Sequence, residues 1–220
     1  MPLDKIDILF EDDVLLAVNK PAGLPSHATQ DPLRPHLQGL TEAQLGRPLV
    51  LFHRLDLDTT GLTLFGKDPS INRAMTEAFR DRKVKKTYEA VVEGRWLESW
   101  AEVRTFIKKT GGGRWANVPK GKGGDSAHTH FTVLQSNGEK SHLEVRPETG
   151  RTHQIRLHCL ERGHPILGDR LYGRAHAKGV PMALHAARLE LAHPVTGLAL
   201  KIEAPRPSYW KEIWLKGFGR

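Results

Sequence analysis

Short apolar stretches alternate with polar segments that contain glycine and proline along most of the 220-residue chain. This alternation is typical of β-strands separated by turns. The first two stretches are expected to pair as a hairpin across the acidic turn at residues 11–13. In full, the pattern predicts strands at residues 8–10, 14–18, 49–55, 62–65, 88–92, 131–134, 142–146, 184–191 and 198–202.

Two inner segments have the spacing of apolar residues that is typical of helices. Asp68 and Pro69 form an N-cap and first-turn pair for a helix predicted over residues 69–82. A second helix is predicted from about residue 152 to residue 162, where Gly163 ends it. Many strands with two inserted helices, and no regular strand–helix alternation, predict an α+β fold on a long mixed, mainly antiparallel sheet.

The pattern is weaker in two other segments. Residues 26–48 are expected to form a long surface loop with at most one short helix, around residues 41–45. A C-terminal tail from about residue 206 to 220 contains a short amphipathic helix predicted at residues 208–218. We expect the whole chain, residues 1–220, to form a single domain.

The charge balance narrows the choice of partners. Thirty-three Lys and Arg against 25 Asp and Glu give a net charge of +8, which favours a polyanion such as nucleic acid. A membrane is not expected, because no apolar run approaches the ~20 residues needed to span one. The N-terminus has no visible secretory signal, and Cys159 is the only cysteine. The cytoplasm is therefore the expected location.

A carboxylate and an arginine stand together in residues 53–62, between two predicted strands. Asp56 follows Arg54 there, so that one end of a sheet presents both side chains. A carboxylate in a partly dry cleft can act as a nucleophile or base when a cation keeps it ionised. An Asp in a turn more often caps its own backbone, and Asp58 fits that role.

A cationic cluster occurs in residues 148–158. On a helix His153 and Arg156 are three residues apart and share a face, near a helix start whose free amides favour anions. A phosphate or a carboxylate would suit such a site. A solvated basic face is equally consistent with the segment alone, so the segment by itself leaves the question open.

Taken together, these segments and two others resemble the RluA-type pseudouridine synthases. The similarity extends from the motif at residues 19–23 to about Pro205. Four matching segments occur in the same order as in the family, which makes a chance match very unlikely. The segments that carry it are residues 53–56 with 59–62 (HRLD and TTGL), 86–91 (KTYEAV), 150–156 (GRTHQIR) and 164–169 (HPILGD).

The resemblance implies a catalytic role for three residues around a central catalytic cleft. Asp56 aligns with the essential aspartate, which attacks the target nucleoside or a species derived from it. Tyr88 aligns with the aromatic residue that stacks on the target base, and Arg156 with the arginine that pairs with the catalytic aspartate. A base must leave its stack before an enzyme can reach the glycosidic bond, and a tyrosine face is a platform for it.

The resemblance also implies a set of substrate-binding residues. Arg54 aligns with an arginine that helps to hold the flipped nucleotide, and Thr60 stands where the family commonly has Ser. The other matched positions expected to contact substrate are His53, Lys86, Arg151 and His153. The substrate is expected to be structured RNA, namely a stem-loop of tRNA, of 23S ribosomal RNA, or of both.

Two basic segments lie outside those motifs. The run at residues 80–86 leads directly into Tyr88, which favours contact with phosphate. A glycine-rich basic insertion at about residues 108–124 includes Trp115 and looks the most flexible part of the chain. Trp115 could stack on an unpaired base or anchor the loop. Larger family members carry an N-terminal S4 RNA-binding domain, which is not expected here because the match begins almost at residue 1.

Alternatives from other functional classes lead to distinguishable expectations. A non-catalytic RNA-binding protein on the same fold would have no need of the three catalytic residues. A metal-dependent hydrolase would use some of the twelve histidines, such as His128 with His130 or His153 with His158. Neither pair has a zinc-enzyme pattern such as His-Glu-x-x-His, so no metal is expected. We also expect no nucleotide cofactor, no obligatory protein partner and a monomer.

Overall fold

The computed structural model describes residues 5–173 and 180–215. The chain falls into two compact units. Unit 1 comprises Met1–Lys86 and Ala186–Arg206, and unit 2 comprises Thr87–His185 and Pro207–Arg220. None of the helices in the described ranges combines the length and the apolar character that a membrane crossing requires.

Unit 1 is built on antiparallel strand pairs. Strand β2 pairs with β1 on one side and with β4 on the other, and the two-residue β3 also pairs with β4. Strand β10 pairs with β11. The strands are β1 (Asp7–Glu11), β2 (Leu15–Lys20), β3 (Val50–Leu51), β4 (Thr60–Gly66), β10 (Leu184–Ala192) and β11 (Ala199–Glu203).

The core of unit 1 lies on both faces of its sheet, because β2 and β4 bury the side chains that point to one face as well as those that point to the other. Leu15 and Leu64 lie in a cluster with Met75 of helix α2 (Asn72–Arg80), which a short 3-10 helix at Pro69–Ile71 precedes. Leu16 and Phe65 pack on the other face with helix α1 (Leu37–Leu45). Because successive side chains of a strand point to opposite faces of the sheet, one strand can pack against a helix on each face.

Unit 2 is a five-stranded antiparallel arrangement in the order β5, β9, β8, β6, β7. The last two strands form a hairpin that closes through glycines 111 to 113, all of which have positive φ. The strands are β5 (Lys85–Glu93), β6 (Trp100–Gly111), β7 (Arg114–Val118), β8 (Asp125–Ser136) and β9 (Lys140–Pro147).

Two helices cover the apolar face of unit 2. Ile155 and Cys159 of α3 (Gln154–Glu161) pack with Trp96 and Phe131, and Trp210 of the final helix joins the same cluster. That helix, α4 (Tyr209–Leu215), receives a hydrogen bond at Ile213 O from the buried ammonium of Lys140, at 2.5 Å. An internal cation thus neutralises the carbonyl end of a short helix.

The α+β class with a mainly antiparallel sheet is confirmed, as are the N-terminal hairpin and the Asp68 N-cap, whose Oδ1 accepts from Ser70 N at 2.8 Å. The strand predicted at residues 49–55 is wrong beyond Leu51, because the chain leaves the sheet to form the Asp56 loop. The single catalytic domain over residues 1–220 stays a prediction. The last residues of the predicted C-terminal helix, 216–218, lie outside the described residues.

Within the insertion at residues 108–124, residues up to Val118 belong to the β6–β7 hairpin, and residues 119–124 form the turn that leads into β8. The sequence obscured β6 because polar residues alternate with Ala101, Val103 and Ile107, which are the buried positions of that strand. Helix α3 starts at Gln154, two residues later than predicted, since His153 has a left-handed backbone with φ of 59°. His153 is therefore the N-cap and not part of a helical face with Arg156.

Candidate active site

In unit 1, hydrogen bonds to the peptide groups of Leu55 and Leu57, on either side of Asp56, hold the Asp56 loop in place. Ser26 Oγ accepts from Leu55 N at 3.0 Å and donates to Leu55 O at 2.9 Å. Leu57 O accepts from Gly23 N at 3.0 Å, and Asp56 O accepts from Thr59 N at 3.2 Å. Asp56 itself is half-buried. Because the residues before and after it are anchored, the backbone at Asp56 is held in place with little conformational freedom.

Lys20 is the second anchor of this loop, and it is completely buried. Its Nζ donates to Pro21 O at 2.9 Å, to Leu24 O at 2.7 Å and to Leu57 O at 2.9 Å, which uses all three ammonium protons. Burial lowers the pKa of Lys20 from 10.5 to about 8, although Asp58 and Asp56 favour its charged form. A buried cation therefore lies close enough to Asp56 and Asp58 to interact with both.

His53 of the same segment has a structural hydrogen bond. Its Nε2 accepts from Leu64 N at 3.0 Å, and its ring stacks on Phe79 with centroids 5.3 Å apart. Burial, aided by the positive charge of Lys86, lowers the pKa of His53 to about 3, so the ring is neutral at physiological pH. Whatever contact His53 makes with substrate, it makes as an uncharged ring.

The remaining predicted residues of unit 1 differ in exposure. Arg54 is exposed and Thr60 is buried at the start of β4. Lys86 is half-buried, and burial together with Arg82 lowers the pKa of its ammonium. Gly61 has a φ of 106°, and a Cβ there would lie 2.3 Å from Ala186 O. Only glycine permits β4 to approach the backbone of β10 so closely at this point.

In unit 2, Arg156 and Asp169 form a buried two-point ion pair. Arg156 Nε lies 2.7 Å from Asp169 Oδ2 and its Nη2 lies 2.8 Å from Oδ1, with the two residues 6% and 3% exposed. Burial opposes ionisation of Asp169, but the hydrogen bonds and charge of Arg156 outweigh it and lower the pKa of the carboxyl. The resemblance assigned Asp56 as the partner of Arg156, and that pairing stays a prediction.

Tyr172 connects this ion pair to His153 and to the β6–β7 hairpin. Its ring centroid lies 5.0 Å from the Arg156 guanidinium carbon, and its hydroxyl lies 2.8 Å from His153 Nδ1. The same hydroxyl accepts from Trp115 N at 2.9 Å and donates to Trp115 O at 3.2 Å. Trp115 is half-buried and packs beside Tyr172, so of its two expected roles the structure shows the anchoring one.

Gln154 sets the turn that precedes α3. Its Oε1 accepts from Thr149 Oγ1 at 2.6 Å and from Arg151 N at 3.0 Å, while its Nε2 donates to Thr129 Oγ1 at 2.9 Å. The exposed Arg151 also donates from Nε to Ser126 O at 3.1 Å. This buried amide, fully used in hydrogen bonds, holds the backbone of the turn at residues 149–154 against β8.

Tyr88 lies on β5 opposite Val145 of β9 and is half-buried against the core of unit 2. Strand residues have little backbone freedom, so its ring is presented from a rigid element. Sequence reasoning missed Lys20, Asp169 and Tyr172. Lys20 and Asp169 stand within the matched motifs at residues 19–23 and 164–169, which was the available signal, whereas nothing local distinguishes Tyr172.

The comparisons with known proteins agree with these assignments of fold. A family profile described as "RNA pseudouridylate synthase" matches residues 14–161. The "Uncharacterized RNA pseudouridine synthase YhcT" of Bacillus subtilis is 35% identical over 220 residues, which cover 95% of this chain and 71% of that protein. The "Dual-specificity RNA pseudouridine synthase RluA" of Haemophilus influenzae is 34% identical over 212 residues, covering 90% of this chain and 92% of that protein.

Solved structures show the same fold. The human protein "RNA Pseudouridylate Synthase Domain Containing 4" superposes with a TM-score of 0.76 at 28% identity, covering 93% of this chain and 90% of the other. The human "RNA Pseudouridylate Synthase Domain Containing 1" gives a TM-score of 0.79 at 24% identity, covering 94% and 86%. The second likeness concerns the fold alone.

Proposed function

The chain belongs to the RNA pseudouridylate synthase family, and on that premise we propose that it converts selected uridines of structured RNA to pseudouridine with Asp56 as the catalytic carboxylate. The observation that carries the assignment of Asp56 is its anchored loop. Ser26 fixes the peptide on one side, and Lys20 and Gly23 fix the peptide on the other. A half-buried carboxylate held in this way suits attack on a nucleoside.

The reaction is an isomerisation. The bond between N1 of uracil and C1′ of ribose breaks, the ring turns, and a bond forms between C5 and C1′. C5 loses a proton and N1 gains one, so that no atom is gained or lost and no redox partner or energy source is needed. The protein must hold the detached uracil and direct proton transfer, which are tasks for positioned side chains.

The resemblance gives the other residues their proposed roles. Tyr88 stacks on the target base, the exposed Arg54 holds the flipped nucleotide by a phosphate, and Arg156 supports the charge of Asp56. The related protein from H. influenzae is named as a dual-specificity enzyme, which supports a stem-loop uridine of tRNA, ribosomal RNA or both. A monomer and a cytoplasmic location stay predictions.

The direct test of this function uses RNA labelled with tritium at C5 of uridine. Isomerisation releases that tritium to water, whereas binding or strand cleavage does not. Release by the purified protein would support the synthase, and tight binding of substrate-containing host RNA without release would favour the non-catalytic RNA-binding protein. Gel analysis of the same RNA separates the third alternative, since a metal-dependent hydrolase would shorten the RNA without releasing tritium and would stop in chelator, whereas the synthase keeps its rate of release.

The pH dependence of turnover tests the role of Lys20. We expect turnover to fall as the pH rises through about 8, because the neutral amine has two donors for three carbonyls and no longer offers a cation to Asp56. Initial rates of tritium release between pH 6.5 and 9.5 measure this. In Lys20→Arg, whose guanidinium keeps its charge, the fall should move to higher pH, and an unmoved profile would exclude Lys20 as its source.

Stability supplies the control for that profile. The pKa of Lys20 is lower in the folded protein than in the unfolded chain, so between pH 8 and 10.5 the unfolded chain binds more protons. This group therefore makes the free energy of unfolding rise, not fall, across that range. A loss of turnover without a loss of melting temperature would separate the titration of the site from alkaline unfolding.

The salt dependence of RNA binding tests the basic turn at residues 119–124, between β7 and β8. Lys120 and Lys122 are exposed just beyond β7. If both contact phosphate, replacing both with Ala should reduce the slope of log affinity against log salt by about 1.4 to 1.8. Replacing Lys201 and Lys211 with Ala removes the same charge elsewhere and is the matched control. Equal slopes for the Lys120 and Lys122 variant and the wild type would mean that this turn makes no phosphate contact.

A further inference from the structure

We propose that Glu102, His128 and His130 of unit 2 form a binding site for a divalent transition-metal ion of the zinc type. One potential ligand atom from each residue lies within 4.8 Å of the other two. In a tetrahedral zinc site with bonds near 2.0 to 2.1 Å, neighbouring ligand atoms are about 3.3 Å apart. Small rotations of these half-buried side chains would therefore bring the ligands to an ion.

The register of two strands brings the three residues together. His128 and His130 are two residues apart on β8, so they lie on the same face of the sheet. Glu102 of β6 is directly opposite His130, and side chains at such a pair are neighbours. The His-Glu-x-x-His motif places its histidines four residues apart on a helix, whereas His128 and His130 share one face of a strand, so the absence of that motif does not argue against this pair.

Glu148 orients the two imidazoles. Its Oε2 lies 2.7 Å from His128 Nδ1, and its Oε1 lies 2.8 Å from His130 Nε2. The hydrogen bond with His130 is the main reason why the pKa of Glu148 is lowered. A carboxylate that binds one ring nitrogen of a histidine, and so directs the other nitrogen towards an ion, is the usual outer support of a metal ligand.

The second nitrogen of His128 faces Glu102. His128 Nε2 is shielded from solvent and lies 2.5 Å from Glu102 Oε1, so the two prospective ligand atoms are already in direct contact. An ion shared by His128 Nε2 and Glu102 Oε1 would take the place of this direct contact.

The backbone around His128 is already fixed in place. His128 N donates to Thr149 Oγ1 at 3.0 Å, and His128 O accepts from Glu148 N at 3.0 Å and from Gln154 Nε2 at 2.9 Å. A bound ion would therefore join β6 and β8 to the segment at residues 148–154. Since the ion binds the folded arrangement, it should raise the melting temperature, and the increase should grow with the logarithm of the ion concentration above the Kd.

Arg104 is the competitor for this site. Its Nε is bonded to the same Oε1 of Glu102, and this bond is the main cause of the lowered pKa of Glu102. The Arg104 side chain is 72% exposed, so it can turn into solvent or move to the other carboxylate oxygen at little cost. Two imidazoles with a carboxylate favour Zn²⁺, Co²⁺ or Ni²⁺ over Mg²⁺ and Ca²⁺.

The test titrates the full chain, without a histidine tag and stripped by chelator, with Co²⁺ and then Zn²⁺. We expect one equivalent of Co²⁺ to produce a visible absorption band that Zn²⁺ abolishes, and Mg²⁺ to have no effect. His130→Gln and Glu102→Gln should each weaken binding by at least ~10-fold. His27→Gln, which removes an exposed histidine of unit 1, is the matched control and should bind as the wild type does.

Melting temperatures measured in chelator show whether each variant is folded, and so separate loss of the site from loss of the fold. Zn²⁺ should then raise the melting temperature of the wild type and of His27→Gln, but not that of His130→Gln. Unchanged Co²⁺ affinity in folded His130→Gln and Glu102→Gln, or no band at millimolar Co²⁺, would overturn the proposal. Neither result depends on the reaction at Asp56.

Discussion

Replacing Asp56 with asparagine should abolish turnover while RNA binding stays largely intact. Asparagine has nearly the same shape but lacks the anionic oxygen that attacks the nucleoside, so the rate of tritium release should fall on the order of 10⁴-fold or more. Binding should persist because the substitution removes a single negative charge from a chain with a net charge of +8. Single-turnover release and a filter-binding affinity measure the two effects separately.

Asp58→Asn is the matched control for this experiment. Asp58 stands two residues away, and like Asp56 it favours the charged form of Lys20. Asp58→Asn changes the shape and the charge of the side chain as Asp56→Asn does. Because Asp58 has no proposed role in the reaction, the Asp58→Asn variant should keep most of the activity. A variant pair that lost activity equally would show that the loop needs its charge, and would contradict Asp56 as the attacking group.

Breaking the Arg156–Asp169 pair should have the second largest effect, on stability and on turnover together. Removal of either partner leaves the other charged and buried, which typically costs about 3–5 kcal/mol of unfolding free energy. Arg156→Ala should also lower the rate of tritium release, because the guanidinium then no longer supports Asp56. Urea unfolding and single-turnover rates measure the two consequences.

A double-mutant cycle separates the structural role of this pair from its proposed role in the reaction. Arg156→Ala with Asp169→Ala should be no less stable than either single variant, since no unpaired charge remains. Its rate should stay as low as that of Arg156→Ala. Additive losses of stability would contradict the coupling, and an Arg156→Ala variant that changed only RNA affinity would contradict the support of Asp56.

The ion pair should also withstand all but strong acid. The pKa of Asp169 is lower in the folded protein than in the unfolded chain, so its contribution to stability is present above the unfolded value. The contribution is lost only when the pH falls below the pKa of the unfolded chain and then through the lower pKa of the folded protein. Loss of turnover in mild acid would therefore have another cause than the opening of this pair.

The local pattern of the sequence identified most strands because their side chains are buried in runs. Residues 15–18 and 62–65 are buried on both faces, and all of them except Thr63 are apolar, so the strands are easy to recognise. In β6 the buried residues alternate with charged ones, and the strand runs into glycines that suggested a loop. A tertiary partner, namely Tyr172 beneath Trp115, orders the hairpin, and local patterns carry no trace of such a contact.

The site could be predicted only as far as the motifs extend. Asp56, Tyr88 and Arg156 were identified because they stand in segments that resemble a family, and their roles stay proposals. The contacts that position them join residues far apart in the chain: Lys20 reaches Leu57, and Ser26 reaches Leu55. Burial also changes chemistry that a sequence cannot show, as in the neutral ring of His53.

The central claim is that this chain makes pseudouridine with Asp56, and one measurement tests it most directly. Pseudouridines are mapped across total RNA of the native host, with and without the gene, by chemistry that marks pseudouridine specifically. The account predicts that particular sites vanish with the gene and return with the wild-type protein but not with Asp56→Asn. Sites restored equally by Asp56→Asn, or no site lost when the gene is removed, would contradict it.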